Sequence, residues 1–318
     1  MSDNKVPIFT STGQKLFRHG DILFYWNRGV PVPQSLQVGL TENCTLSCKF
    51  CSVVNRSKKY VIDYDSLVEA TKAFNYLGIK TVEITGAGDP LLYPQLNDYI
   101  CFLLTHKLKV GLITNGIGIN KLLNKDLLKD MSWIRISANV LDYRDEIEIP
   151  EGFTGTLGFS YCWTEGLSTK EQLLRIKDIA LKNNVKYIRL VPNCLSTKEE
   201  LQKQHDFLEP MAQEVGEPLF YQKKMFDTPN NCYWGYIKPF LYPDGYVYPC
   251  SSTVLNPDAD KQFNTSYRRC HWTEIKKVWE EMPIKSIIDT SRCLHCVFTE
   301  QNETLEYALN KQEHEDFI

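Results

Sequence analysis

The chain has 318 residues, which suffices for one large domain with an ample core and a smaller appendage. Its 36 Lys and Arg residues nearly balance 39 Asp and Glu residues, so there is no overall positive field to attract nucleic acid, and such contact, although not excluded, would be local. No apolar run is long enough to span a bilayer and the polar start is not a signal peptide, which predicts a cytoplasmic protein without membrane contact.

The predicted elements begin with a short amphipathic helix within residues 13–34, and residues 1–34 are expected to form an N-terminal extension. Six strands that alternate with helices follow. The strands are predicted at 35–41, 81–85, 109–114, 133–137, 156–160 and 185–191, and the helices at 64–76, 95–105, 121–129, 170–183 and 199–215. This alternation predicts an α/β fold with a parallel sheet and crossover helices.

Polar residues on one face of the strands favour a curved sheet whose concave side is partly open. Arg135 and Ser137 alternate with Ile134 and Ile136, whereas a sheet covered on both faces has continuously apolar strands. We therefore expect a partial (β/α)6 barrel, similar to part of a TIM barrel, over residues 35–217. After about residue 217 turns, aromatic residues and cysteines replace this rhythm, which predicts a smaller domain at 218–297 and a helical tail at 298–318, with a surface helix at 303–313.

Three of the eleven cysteines lie on one loop directly after the first predicted strand. Cys44, Cys48 and Cys51 have the spacing CxxxCxΦC, where Φ is Phe50. Thiols stay reduced in the cytosol, so such a group indicates metal binding or catalysis rather than disulfides. Three thiolates can hold three corners of a 4Fe–4S cube and leave the fourth iron open for another ligand. A zinc knuckle or a set of buried thiols is the alternative.

This loop resembles that of the radical SAM superfamily, whose members have a partial (β/α)6 barrel and cleave S-adenosylmethionine (SAM) to a 5′-deoxyadenosyl radical. The resemblance implies that Cys44, Cys48 and Cys51 ligate the cluster that binds SAM and that Phe50 lies against the cofactor. It also implies a flavodoxin- or ferredoxin-type electron donor.

Further motifs at the ends of predicted strands match SAM-contacting positions of that family. Gly86, Ala87, Gly88 and Asp89 stand where the family has a GGEP-like motif for the SAM amino group, although Asp replaces Glu and one residue is inserted. An ordinary turn after a strand is the alternative for this loop.

Polar side chains at the ends of later strands match the family positions around the ribose and carboxylate of SAM. They are Asn115, Ser137, Asn139 and Arg189. Arg135 and Glu83 share the inward faces of their strands, where they either contact substrate or pair with each other.

A second group of cysteines follows the barrel. Asp244-Gly245 lies between aromatic runs, which predicts a β-hairpin within 240–250 that can bring Cys232 and Cys250 together. The spacing of these two cysteines around Gly245 resembles the start of the SPASM domain, and the few cysteines fit its shorter twitch form, a β-hairpin plus helix with one auxiliary 4Fe–4S cluster. The implied ligands are Cys232, Cys250, Cys293 and Cys296. A structural zinc site is the alternative.

Other cysteines have less defined roles. Cys162 and Cys194 lie beyond strand ends on the expected active-site side, where a thiol could donate hydrogen to a substrate radical, although a loop or core role is the alternative. Cys101 is expected in the core, and Cys270 is either a spare thiol or another cluster ligand.

Together the motifs predict an enzyme with SAM and two 4Fe–4S clusters as cofactors. Three substrate classes remain open, ranked as modification of a peptide or protein, oxidation of a sugar or aminocyclitol alcohol, and modification of a nucleotide or nucleic-acid base. An iron–sulfur regulator or electron carrier is the non-enzymatic alternative, which the Gly-Ala-Gly-Asp-Pro motif beside the cysteine loop disfavours.

Overall fold

One sheet of ten strands organises the protein. The computed structural model describes residues 9–10, 12–54, 56–193, 195–223, 229, 231–251, 267–281, 288, 290, 293 and 296–310. The strands are β1 (Ser35–Gly39), β2 (Thr81–Thr85), β3 (Lys109–Thr114), β4 (Trp133–Ser137), β5 (Thr156–Cys162), β6 (Tyr187–Val191), β7 (Leu219–Tyr221), β8 (Phe240–Leu241), β9 (Tyr246–Tyr248) and β10 (Cys270–His271). Their order is β10-β9-β8-β1-β2-β3-β4-β5-β6-β7.

The strand directions confirm an α/β fold with an open, barrel-like sheet. Strands β1 to β7 are parallel neighbours in chain order. Strand β8 adds to the free edge of β1, again in parallel, and β9 and β10 continue from it in antiparallel fashion. The predicted hairpin therefore forms, and its turn at Gly245 has a φ of 84° that glycine adopts without strain.

The described residues also form ten α-helices. They are α1 (Gly20–Trp26), α2 (Tyr64–Tyr76), α3 (Leu96–Thr105), α4 (Ile119–Leu122), α5 (Lys125–Leu128), α6 (Lys170–Lys182), α7 (Lys198–Val215), α8 (Trp234–Ile237), α9 (Ile275–Glu281) and α10 (Thr299–Leu309). The longest of them begin at side-chain caps. Thr169 accepts from Gln172 N at α6, and Thr197 and Glu200 form a capping box at α7. No helix in the described part of the chain is long and apolar enough to cross a membrane.

Alternation along the strands separates an apolar core from a polar barrel interior. The main core contains Leu36 and Val38 of β1, Ile84 of β2 and Ile134 of β4, all at most 1% exposed. The residues between them face the other side of the sheet and form rows across neighbouring strands.

Three of the rows defined by the strand register concern the site. The lowest of these three runs through Gln37, Glu83, Gly111, Trp133 and Thr156. The middle row runs through Ile113, Arg135, Gly158 and Tyr187. The upper row runs through Ser137, Ser160, Arg189 and Phe220.

The first and the last described helices pack against each other. The predicted N-terminal helix is a 3-10 helix (Gly13–Arg18) followed by α1. Trp26 Nε1 donates to Leu305 O of α10 at 3.1 Å, and Leu305 itself is fully buried. The tail thus contains a helix, α10, which begins before the predicted residue 303 and packs one side into a core with α1 and α8 while its other side is exposed. Residues 311–318 lie outside the described residues.

Candidate active site

The loop with Cys44, Cys48 and Cys51 begins directly after β1, at the carboxyl edge of the sheet. A backbone hydrogen bond of 3.1 Å from Cys51 N to Cys48 O closes a tight turn that brings these two cysteines together. All three cysteines are half-buried, and none of them is in a disulfide. Because the carboxyl ends of parallel strands meet at one edge, this loop faces the ends of β2 to β6.

Polar hydrogens point at the sulfur atoms of this loop. Leu46 N donates to Cys44 Sγ at 3.4 Å, and Asn115 Nδ2 lies 3.7 Å from the same sulfur. Arg56 Nη1 donates to Cys51 Sγ at 3.5 Å. Such donors stabilise the negative charge of a thiolate, so the surroundings of these sulfurs fit an iron–sulfur cluster with thiolate ligands.

Burial raises the pKa of the Cys44 thiol above its ordinary value, and burial together with the nearby Cys51 raises that of Cys48 to about 11. Cluster binding would therefore displace protons from these thiols. No group of three His, Cys, Asp or Glu side chains among the described residues is placed to hold a single metal ion. A cube imposes a different geometry, because each thiolate ligates its own iron.

A buried carboxylate, that of Glu42, connects the two ends of the cysteine loop. It accepts hydrogen bonds from Ser57 Oγ at 2.6 Å, from Lys59 N at 2.9 Å and from Tyr242 OH at 2.5 Å. Although burial acts to raise the pKa of Glu42, the bonds from Ser57 and Tyr242 lower it overall. Because Tyr242 follows β8, Glu42 also links the loop to the C-terminal hairpin. Neither Glu42 nor Arg56 was predicted as a site residue, since neither belongs to a motif.

The loop after β2 packs directly on the cysteine loop. A Cβ on Gly88 would lie 2.0 Å from Asn43 O, so only glycine fits there. Asp89 N donates to Asn43 O at 2.7 Å. The Asp89 carboxylate accepts from Asn115 N at 2.7 Å and from Thr114 Oγ1 at 2.9 Å. This side chain therefore holds the loops after β2 and β3 together.

The other residues predicted to contact SAM differ in burial and in their hydrogen-bond partners. Phe50, Gly86 and Ser137 are half-buried at the same edge, whereas Ala87 is fully buried against the hairpin residues Phe240 and Tyr242. The Asn115 side chain bonds to Thr45 Oγ1 at 3.0 Å. Asn139 bonds to both backbone groups of Cys162, at 2.7 and 2.9 Å. Arg189 lies in the upper row and donates to Gln222 Oε1 at 3.1 Å.

Only one of the two proposed hydrogen donors belongs to the residues that the structure describes. Cys162 ends β5 and is buried, with its Sγ 3.5 Å from Pro192 O. Cys194 lies outside the described residues. Cys101 is exposed on α3, contrary to its expected core position, because it faces away from the sheet, and Cys270 is buried on β10.

The second cysteine set consists of the predicted ligands Cys232, Cys250, Cys293 and Cys296, and Cys296 lies three residues before α10. Burial raises the pKa of Cys232 to about 12, and the nearby Cys296 and Cys293 contribute to that increase. Cys232 and Cys250 pack on the same apolar cluster, and Gly235 approaches Pro249, where an added Cβ would lie 2.7 Å from its Cα. The fold thus places the Cys232 turn beside the end of β9.

One side chain that the sequence did not reveal, Asn302 of α10, connects this set. Its Oδ1 accepts from Tyr233 N and Trp234 N, each at 2.8 Å. Its Nδ2 lies 3.7 Å from Cys296 Sγ. Asn302 is 0% exposed, so it holds the residues after Cys232 next to Cys296, and a polar hydrogen again points at sulfur.

A cavity of about 440 Å³ occupies the barrel interior. It extends from Thr85, next to Gly86, to Ser251, Val297 and Phe298, which adjoin Cys250 and Cys296. It therefore connects the loop after β2 with the surroundings of the second cysteine set. This volume lies within the range of about 300–1,000 Å³ typical of small-molecule sites.

Charged side chains line the lower part of this cavity. Lys238 Nζ lies 3.0 Å from Glu83 Oε2, and Gln37 donates to the other carboxylate oxygen. Burial acts to raise the pKa of Glu83, but Lys238 and Arg135 lower it overall. Among the described residues the ion-pair partner of Glu83 is therefore Lys238, which the sequence did not indicate, and Arg135 acts on Glu83 only at longer range.

Comparisons with known proteins agree with this geometry. The family model of the radical SAM superfamily matches residues 38–155. A probable GTP 3′,8-cyclase of Archaeoglobus fulgidus is 31% identical over 35% of this chain and 37% of its own length. An S-adenosylmethionine-dependent nucleotide dehydratase of a Thermoplasmatales archaeon is 26% identical over 48% of this chain and 50% of its own. The chain thus spans half or less of these curated relatives.

Solved structures share the fold over most of the chain. Streptococcus suis SuiB bound to precursor peptide SuiA aligns with a TM-score of 0.54 and 14% identity, over 90% of this chain and 74% of that chain. Native anSMEcpe with bound AdoMet and Cp18Cys peptide aligns with a TM-score of 0.51 and 13% identity, over 90% of this chain and 86% of that chain. At such identities these alignments show the fold alone.

Proposed function

We propose that residues 38–155, which match the family model of the radical SAM superfamily, form a radical SAM domain, and that the chain cleaves SAM reductively and abstracts hydrogen from a substrate held in the barrel cavity. Cys44, Cys48 and Cys51 hold the cluster, which when bound supplies the electron that splits SAM into methionine and a 5′-deoxyadenosyl radical. The observation that carries the proposal is the set of donors aimed at Cys44 and Cys51 sulfur on a loop with three cysteines.

The protein's own side chains position SAM in this proposal. Gly86 and Gly88 let the backbone after β2 approach the SAM amino group, and Asp89 fixes that loop through its bond to Asn115 N. Ser137 and Arg189, in the upper row, face the ribose and carboxylate of SAM. A guanidinium group can bind a carboxylate through two parallel hydrogen bonds.

The second cysteine set holds an auxiliary 4Fe–4S cluster. Four thiolates leave no iron open, so SAM binds at the first set. The Cys293→Ala, Cys296→Ala double variant should keep 5′-deoxyadenosine formation within roughly tenfold of wild type, the lower end of the losses seen when groups around a metal site are changed, because SAM and its cluster bind at the first set, but it should lose substrate turnover. Circular dichroism must show that the barrel stays folded. Normal turnover in a folded variant would mean that this cluster is only structural.

The substrate occupies the cavity below SAM. A single peptide side chain or a small molecule fits its volume of about 440 Å³. Peptide modification, the first expectation from the sequence, is supported by the fold shared with SuiB, which was solved with its precursor peptide. A nucleotide substrate is supported by the cyclase and dehydratase relatives. A flavodoxin- or ferredoxin-type protein supplies electrons to the first cluster in either case.

Iron content and SAM cleavage test the proposal directly. Anaerobically reconstituted wild type should hold about eight irons, and the variant with Cys44, Cys48 and Cys51 changed to Ala about four. With SAM and dithionite, wild type should release 5′-deoxyadenosine, Cys48→Ala should release none, and the control Cys101→Ala, altered at an exposed position, should match wild type. Methylthioadenosine or S-adenosylhomocysteine as the product would overturn the proposal.

A further inference from the structure

Polar hydrogens reach the sulfur atoms of the second cysteine set from the backbone and from side chains. Phe298 N donates to Cys296 Sγ at 3.3 Å. Burial raises the pKa of the Cys232 thiol, and hydrogen bonds from the backbone of Trp234 and Gly235 act in the opposite direction. Every residue other than proline can supply such a backbone donor. Side-chain donors, in contrast, depend on the residue and can be removed one at a time.

One side-chain contact of this kind joins Tyr267 to Cys293. The two atoms, Tyr267 OH and Cys293 Sγ, lie 3.8 Å apart, and either could be the donor while Cys293 is a thiol. A thiolate that ligates iron carries no proton, whereas a phenol keeps its proton at neutral pH. Cluster binding would therefore make the hydroxyl the donor and the sulfur the acceptor. Tyr267 precedes Cys293 by 26 residues and belongs to none of the cysteine motifs, so the sequence did not reveal it.

Apolar and aromatic neighbours surround this hydroxyl. Tyr267 is 4% exposed, and it packs with the buried aromatic residues of the C-terminal hairpin, which are Phe240, Tyr242 and Tyr248. Cys293 packs against the same residues. Hydrogen bonds are electrostatically stronger in such surroundings than in water. Water also has little access to the hydroxyl, so it would not readily replace it as a donor to the sulfur.

A donor at a ligand sulfur changes the reduction potential of a bound cluster. One-electron reduction adds a negative charge to the cube and its thiolates, so a hydrogen bond to sulfur stabilises the reduced state more than the oxidised state. We propose that the Tyr267 hydroxyl, by donating to Cys293 sulfur, raises the reduction potential of the auxiliary cluster and thereby sets how readily this cluster accepts an electron. Tyr267 is thus a positioning residue that acts through a ligand. The assignment rests on the auxiliary cluster of the proposed function.

Redox titration of the anaerobically reconstituted full-length protein, followed by EPR spectroscopy, tests this assignment. The reduction step that persists in the variant with Cys44, Cys48 and Cys51 changed to Ala belongs to the second set. Tyr267→Phe keeps the ring and removes only the hydroxyl. It should lower the equilibrium constant of that step about tenfold, which is a shift of about 59 mV to more negative potential for one electron. Its iron content should stay at about eight per chain.

Tyr248→Phe is the matched control. Tyr248 is also a buried tyrosine of the hairpin, but its hydroxyl donates to Asp244 Oδ2 at 2.7 Å. This variant should have a lower urea midpoint, because a buried carboxylate loses a donor, and a wild-type potential. The two variants together separate an effect on the cluster from general destabilisation.

A potential of Tyr267→Phe that equals that of wild type, or that shifts no further than in Tyr248→Phe, would overturn the assignment. Loss of iron from Tyr267→Phe would also overturn it, because the hydroxyl would then hold the cluster in place instead of tuning it. About four irons in wild type would overturn the auxiliary cluster itself, and this assignment with it. Formation of 5′-deoxyadenosine is measured separately, so each of these results would leave the SAM-cleavage proposal standing.

Discussion

Replacing Asn302 by Leu should destabilise the second cysteine set and prevent it from binding its cluster. The change keeps a similar volume but removes the acceptor for Tyr233 N and Trp234 N and the donor near Cys296 Sγ. A buried donor left without a partner costs about 1–3 kcal/mol, so the two N–H groups together should lower the free energy of unfolding by about 2–6 kcal/mol. The loss follows from burial, because Asn302 is 0% exposed and water cannot replace its oxygen.

Urea denaturation and iron analysis measure the two parts of this effect. Iron in Asn302→Leu should fall from about eight to about four per chain, because the first cluster does not depend on α10. Asn302→Asp keeps an oxygen acceptor and loses the donor to sulfur, so it should retain more stability than Asn302→Leu. Glu303→Ala, on the exposed side of the same helix, is the control. Full iron content in Asn302→Leu, with the unfolding midpoint of that control, would refute the reasoning.

Three further perturbations test other parts of the molecule. Burial acts to raise the pKa of Glu83, but Lys238 and Arg135 lower it overall, so the pKa is lower in the folded than in the unfolded chain. The ionised carboxylate therefore stabilises the fold at pH values above the ordinary Glu pKa of about 4.3. This contribution is lost as the pH falls through the pKa of the folded state. The difference in unfolding free energy between wild type and Glu83→Gln, followed by urea titration, should therefore shrink below about pH 4.3, and a constant difference would contradict this. Tyr242→Phe removes the bond to Glu42 and should cost about 1.5–3 kcal/mol in the same assay; an unchanged midpoint would show that the bond is dispensable. Gly111→Ala puts a methyl group where an indole ring lies 2.2 Å away and should cost about 1–3 kcal/mol, whereas Gly20→Ala, with nothing within 4 Å of the new atom, should behave like wild type.

Local patterns predicted strands β1 to β6, because alternation of apolar and polar residues is visible within each of them, but they missed β7, whose three residues lie beyond the predicted end of the barrel at 217. Strands β2, β3 and β4 have the predicted bounds. The helix predicted at 121–129 is instead two single turns, because Asn124 caps the second turn by accepting from Asp126 N at 2.9 Å. Asn and Asp side chains compete in this way with the helical backbone.

Local patterns could not predict which segments distant in the sequence pair with each other in the sheet. Nothing in the residues around 240 indicates that β8 adds to β1 in parallel, because that choice depends on the free edge of a sheet assembled far away in sequence. The same holds for site residues outside motifs. Glu42, Arg56 and Asn302 act through contacts with loops remote from them or with the backbone, and a single sequence does not show that they are buried.

The pairing of β8 with β1 has a consequence for any shortened form of the protein. A chain ending after β7 would expose the backbone N–H and C=O groups of β1 along its open side. Such an edge is a template for association with other strands. The same strand leads into the cysteine loop, which would also lose Tyr242 as the partner of Glu42. We therefore expect the isolated barrel to aggregate. The hairpin thus protects the edge of β1 whether or not its cysteines also bind a cluster.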